Sequence, residues 1–124
     1  MQDHRIADSQ ISASSSISGS RANKARLEGT YAGWQAGRRD LYQWLQIDLA
    51  QSVIVIAVAT QGNRDVEMYV TSYFLMYKQN TTSTNWTKYQ EHGVVKVSIY
   101  VRTSLSVPRT VLQLYERKHC INVD

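Results

Sequence analysis

Apolar and polar residues alternate with period two along much of this chain, which is the periodicity of half-buried β-strands. Leu45, Ile47 and Leu49 alternate with Gln46 and Asp48. Val53 to Ala59 is unbroken apolar and largely β-branched, as in a strand covered on both faces. Gln61-Gly62-Asn63 closes it with turn chemistry. Tyr69 to Tyr77 reads as one strand, with Tyr69, Thr71, Tyr73, Leu75 and Tyr77 on one face. Val94 to Val101 alternates again, turning Val95, Val97, Ile99 and Val101 inward, and Val111 to Tyr115 is the candidate last strand.

The N-terminal end is serine-rich, yet Ile11, Ala13 and Ser15 alternate with Ser12, Ser14 and Ser16. That pattern predicts a small-residue strand up to Ser16 rather than a linker. Ile17 to Ala22 then reads as a loop and Asn23 to Leu27 as a short helical turn. Gly29 to Tyr42 holds three glycines, Arg38, Arg39, Tyr31, Trp34 and Tyr42, and reads as a long irregular connection of the kind that usually carries function. Many short strands separated by short turns predict an all-β sandwich or barrel.

Length adds that residues 1–124 suffice for one domain with a real core. No apolar run approaches the ~20 residues that a membrane-spanning helix needs. A net charge of +4 favours anionic partners, whether phospholipid headgroups, sulfated glycans or nucleic acid. Only Arg38-Arg39 and Arg117-Lys118 are adjacent cations, so no run of like charge marks a nucleic-acid tail. Cys120 is the single cysteine, which rules out an internal disulfide.

Catalytic chemistry is hard to assemble from these residues. His4, His92 and His119 are far apart in sequence and lack metal-ligand spacing. The serine-rich segment contains no Gly-x-Ser-x-Gly elbow. Asp40 with Asp48, or Asp65 with Glu67, are formal carboxylate pairs, but Asp48 sits in a strand and reads as a structural hydrogen-bonder. The expectation is a protein that is not an enzyme.

Three linked segments carry a family likeness: Trp44-Leu-Gln-Ile-Asp-Leu49, Val58-Ala-Thr-Gln-Gly62 and Val70-Thr-Ser-Tyr73. In this order and spacing they resemble the discoidin domain, also called the coagulation factor V/VIII type C domain. Asp8 to Ser15, Ala25-Arg26-Leu27, Ala32-Gly33-Trp34 and Asn85 to Tyr89 extend the resemblance. It covers roughly residues 1–97 and is weak over 98–124. After Val97 the family pattern gives way, so Arg102 to Arg109 is expected as an irregular loop. Val111 to Tyr115 is expected as a substitute strand, and His119 to Asp124 shadows the family's closing strand. The implied fold is a discoidin-like, galactose-binding-like β-sandwich of jelly-roll type, incomplete or divergent at its C-terminal end.

The resemblance implies a non-catalytic extracellular binding or adhesion module. Its ligand would be a glycan, an anionic phospholipid or a protein, met by loops gathered at one end of the barrel. Here those loops are Ile17 to Ala22, Gln35 to Tyr42 and Gly62 to Met68, offering Ile17, Arg21, Arg38, Arg39, Leu41, Tyr42, Arg64 and Met68. Trp34 and Trp44 are assigned to the core. No cofactor is implied except that some family members bind calcium near these loops; Asp40 and Asp65 are the candidate oxygen donors, and their spacing specifies no site. Asn80-Thr-Thr82 and Asn85-Trp-Thr87 are glycosylation acceptor triplets, with Asn80 in the more polar surroundings. The N-terminal residues show no signal peptide, which by itself reads as a cytosolic start, whereas the resemblance implies that Met1 is an internal methionine of a longer secreted chain. The alternatives are a basic oligonucleotide-binding barrel, or a non-functional fragment of a larger discoidin-domain protein.

Overall fold

The computed structural model describes residues 6–27, 33–51, 53–60, 68–70, 72–78, 82–91, 93–95, 100–107, 111–116 and 121–122. It is built from strands, as the alternation predicts. β1 is Ile11–Ala13, β2 Trp44–Asp48, β3 Val53–Ala59, β4 Met68–Tyr69, β5 Tyr73–Lys78 and β6 Thr87–Lys88. β7 is Gln90–Glu91, β8 Val94–Val95, β9 Tyr100–Val107, β10 Val111–Glu116 and β11 Ile121–Asn122. Among the described residues, helix is confined to two single 3-10 turns, Asp8–Gln10 and Ala22–Lys24. No helix among the described residues is long and apolar enough to cross a membrane.

A five-stranded antiparallel sheet in the order β1-β2-β10-β5-β6 is the main framework. Ile11 faces Ile47 across β1 and β2, while Leu114 lies opposite both Leu45 and Leu75. Three further pairs, β3 with β9, β4 with β11 and β7 with β8, stand beside it as separate two-stranded sheets. The β3–β9 ladder shifts register between Val55 and Ala57. Such an irregularity bends a strand and raises its twist. Gly93, at a φ of +79°, lies in the tight connection between β7 and β8. That left-handed conformation is one a glycine adopts without a Cβ penalty.

The core follows the period-two reading. Tyr73 and Leu75 are buried on β5, at 2% and 1% exposure, with Leu45 and Ile11 nearly as deep. Leu75 is packed by Leu49, Val55, Val58, Tyr77 and Tyr89, so residues from β3 and from the edge beyond β6 converge on the main sheet's inner face. The Tyr73 hydroxyl is buried with no hydrogen-bond partner of normal geometry. Burial pushes its pKa above the ordinary tyrosine value, and the nearby Thr60 hydroxyl opposes the rise.

Three boundaries and one burial assignment differ from the sequence reading. The strand predicted up to Ser16 is shorter, running from Ile11 to Ala13 after a 3-10 turn at Asp8–Gln10. The single strand expected over Tyr69 to Tyr77 is two, because β4 pairs with β11 while β5 joins β10 and β6. The expected loop at Arg102 to Arg109 is strand β9 as far as Val107. Its own alternation of Val101, Thr103, Leu105 and Val107 with Arg102, Ser104 and Ser106 fits a pleated strand. Trp34 and Trp44, assigned to the core, are half-buried. The substitute strand at Val111 to Tyr115 forms, and it occupies the middle of the five-stranded sheet.

The two 3-10 turns are tied together by charge. The Asp8 carboxylate accepts from the Asn23 amide at 2.8 Å and the Arg26 guanidinium at 2.6 Å, and Arg26 also donates to the Ile6 carbonyl. The Asn23 hydrogen bond, followed by that of Arg26, holds the Asp8 pKa below its ordinary 3.8. A depressed carboxylate contributes stability that is present above the unfolded value and lost as pH falls through the folded one. Because Asp8 is exposed, the contribution is small. A thermal-melt series from pH 5 down to pH 2 should show an acid-side fall that is slightly smaller in Asp8→Ala than in the parent.

Candidate functional site

Two of the three sequence-predicted loops are stitched together by backbone hydrogen bonds. The Ile17 N–H donates to the Gln35 carbonyl at 3.0 Å, and the Gln35 N–H donates to the Ser20 carbonyl at 3.2 Å. Between them the first loop reverses at Gly19, whose φ of +86° suits glycine. Gly37 then passes so close to the first segment that a Cβ there would lie 2.9 Å from the Ser16 carbonyl oxygen. The Gly37 N–H donates to Ser15 Oγ at 2.9 Å, and Trp34 Nε1 donates to the Ser15 carbonyl at 2.9 Å. The half-buried Trp34 therefore anchors the second loop onto the first.

Gln43 fixes the far end of the second loop. It is a buried polar residue, 3% exposed, placed just before β2. Its Oε1 accepts hydrogen bonds from the hydroxyls of Ser14 and Ser15, while its Nε2 donates to Asp40 Oδ1 at 2.6 Å. The same Asp40 oxygen accepts the Tyr42 N–H at 2.9 Å, an arrangement that closes a local turn. The Trp44 N–H donates to Ser14 Oγ at 3.0 Å. Polar groups this deep are tolerated because both halves of the Gln43 amide are satisfied.

The loop displays apolar side chains next to charge. Tyr42 is 75% exposed and Leu41 57%, while Ile17 on the adjoining loop is 38% exposed. Arg21, Arg38 and Arg39 are exposed on the same two loops. The exposed leucine and tyrosine sit on the turn that Asp40 closes through the Tyr42 N–H.

The structure thus brings together Ile17, Arg21, Arg38, Arg39, Leu41 and Tyr42 on linked loops. Arg64, Asp65, Asn80 and Cys120 lie outside the described residues. Met68 is placed only by its backbone, in β4 opposite Asn122. Asp40, the calcium candidate, already accepts two N–H donors through Oδ1, and no group of three or more His, Cys, Asp or Glu gathers among the described residues. Asp48 behaves as the sequence suggested, with its carboxylate accepting the Ala50 N–H at 2.8 Å. Sequence reasoning missed Ser14, Ser15, Gly37 and Gln43. Alternation alone gave Ser14 and Ser15 as strand residues, and a lone glutamine before a strand carries no signal of burial.

The family model of the F5/8 type C domain matches residues 10–112, most of the chain. The chain belongs to the F5/8 type C domain family. Retinoschisin of Mus musculus is 38% identical over 72 residues, covering 56% of this chain and 32% of that protein. Retinoschisin of Homo sapiens is 36% identical over the same length. Coagulation factor VIII of Canis lupus familiaris is 30% identical over 134 residues, covering 96% of this chain and 6% of that protein. This F5/8 type C domain therefore spans about a third of one relative and a small part of the other. Its matched span includes both stitched loops and all of β1 to β9.

Proposed function

We propose that this domain is a non-catalytic, extracellular binding module that docks on anionic phospholipid surfaces through the Ile17 and Arg38 to Tyr42 loops. Family membership supports a binding module over catalysis, and it favours this fold over the oligonucleotide-binding barrel. The observation that carries the choice of ligand is the exposed Leu41-Tyr42 pair next to the exposed Arg38-Arg39 pair. A headgroup interface accepts both at once: the acyl boundary takes the apolar side chains and the lipid phosphates take the guanidinium groups. A glycan has fewer uses for an exposed leucine. Ile17, on the loop laced to Gln35, adds a second apolar contact beside Arg21.

Vesicle co-sedimentation tests the assignment. Binding to phosphatidylserine vesicles should exceed binding to phosphatidylcholine vesicles and should weaken as salt rises. At about 1 kcal/mol per basic residue near the surface, Arg38→Ala with Arg39→Ala should lower affinity roughly thirtyfold. The melting temperature should barely move, since exposed substitutions away from packing usually stay within about 0.5 kcal/mol. Equal binding to both vesicle types, or affinity unchanged by the double substitution, would overturn the lipid assignment. Retention on a glycan or protein array in that case would point to the other ligand classes.

A further inference from the structure

The outer edge of the five-stranded sheet carries a feature that the loop cluster does not use. An open depression of about 490 Å³ lies there, lined by Tyr77, Trp86, Thr87, Lys88, Tyr89 and Gln90. Small-ligand sites commonly span about 300–1,000 Å³. The register sets it apart from the loops: Thr87 pairs with Tyr77, Tyr77 with Leu112 and Leu112 with Ile47. That places it three strands from β2, roughly 14 Å across the sheet, and about 10 Å along the strand from Trp44.

The lining is mixed in a particular way. Tyr77, Trp86 and Tyr89 are half-buried rings, while Thr87, Lys88 and Gln90 are exposed. The Trp86 ring is held in place, with Lys78 Nζ 4.8 Å from its centroid and donating to the Ser83 carbonyl at 3.0 Å. The Ser83 hydroxyl accepts the Asn85 N–H at 3.2 Å, so the turn that presents Asn85 is fixed from the same side. Asn85 is exposed. It opens the Asn85-Trp86-Thr87 acceptor triplet, two of whose residues line the depression.

We propose that Asn85 is N-glycosylated and that the first sugars of its glycan lie in this depression, against Trp86. A pyranose offers C–H groups on its ring face, which suit aromatic rings, and hydroxyl and acetamido groups at its rim, which suit Thr87, Lys88 and Gln90. The occupant is the chain's own glycan because the attachment point is the residue next to Trp86. A tethered group meets a neighbouring surface at millimolar or higher effective concentration, where a free sugar must reach that by diffusion. In the transfer, the Asn85 amide nitrogen bonds to the anomeric carbon of an oligosaccharide carried on a lipid pyrophosphate. The carbon–oxygen bond to the pyrophosphate breaks, the pyrophosphate leaves with the electron pair, and the amide proton passes to a base of the transferase. The inference rests on the extracellular reading, since this modification meets chains that enter the secretory route.

The test uses the full chain behind an added secretion leader in a glycosylating eukaryotic host, analysed in both the cell-retained and the secreted fractions. The leader removes the chain's own targeting from the question, so its result is separate from that of the vesicle assay. Enzymatic release of N-glycans in heavy-oxygen water marks each released site as labelled Asp. Residue 85 should carry the label, Thr87→Ala should abolish it, Thr87→Ser should retain it, and Asn80→Gln should leave it unchanged. On the intact glycoprotein, the acetamido methyl of the first sugar should shift upfield relative to the protease-released glycopeptide. It should also show cross-relaxation to Trp86 indole protons, a measurement that requires no folding variant. An unmodified Asn85 overturns the site. A modified Asn85 whose methyl resonance matches the free glycopeptide overturns the seating of the glycan in the depression.

Discussion

Leu75→Ala is expected to destabilise the domain by about 2–5 kcal/mol, the usual range for a large-to-small change in a packed core. Leu75 is 1% exposed, the deepest side chain among the described residues. It collects Leu49, Val55, Val58, Tyr77 and Tyr89 around one side chain. Truncation would leave a cavity bounded by two sheets, which cannot both collapse onto it without breaking strand register. Single domains are stable by only about 5–15 kcal/mol, so the variant should melt far earlier or fail to accumulate. Urea denaturation followed by tryptophan fluorescence provides the measurement. Leu75→Met, which nearly conserves volume, should cost less than about 1.5 kcal/mol. If Leu75→Ala denatures at the same urea midpoint as the parent, the packing around β5 is not as described.

Gln43→Leu should have the next largest effect, and its signature differs in kind. The substitution keeps bulk but removes the acceptor for Ser14 and Ser15 and the donor to Asp40. Stranding polar groups in this way costs about 1–3 kcal/mol. The same change frees the turn that Asp40 closes on the Tyr42 N–H, so vesicle affinity should fall as well as stability. Asp40 separates the two effects. Asp40→Asn keeps an oxygen acceptor for both the Gln43 amide and the Tyr42 N–H, and should retain slow hydrogen exchange at Tyr42 and most of the lipid affinity. Asp40→Ala cannot accept either bond and should accelerate exchange at Tyr42 with a smaller loss of global stability. Equal behaviour of the asparagine and alanine variants would remove Asp40 from the positioning of the loop.

Strand content was legible because alternation is a local property. The run Ile11 to Ser16 alternates in burial as its sequence does, and Tyr73 and Leu75 take the inward positions that period two assigns them. Arg102 to Val107 carries the same alternation, although the family pattern is lost after Val97. Periodicity was the better guide to that strand. The split of the predicted strand at Tyr69 to Tyr77 was not legible. Whether adjacent residues stay in one ladder depends on which partners arrive, and β11 comes from about fifty residues away in sequence.

By itself the sequence determined the family, the strand-rich fold and the two loops that hold Ile17, Arg38, Arg39, Leu41 and Tyr42. Each of these depends on residue type and near-neighbour spacing, which a chain displays directly. The tertiary structure decided the rest. It placed β10 in the middle of the main sheet, buried Gln43 between the serines and Asp40, and opened the depression beside Asn85. The first comes from pairings more than thirty positions apart, and the burial of Gln43 needs serines almost thirty positions away. A buried amide and an exposed one look alike in a sequence; only the groups that fold around them make one a structural tie and leave the other open to solvent.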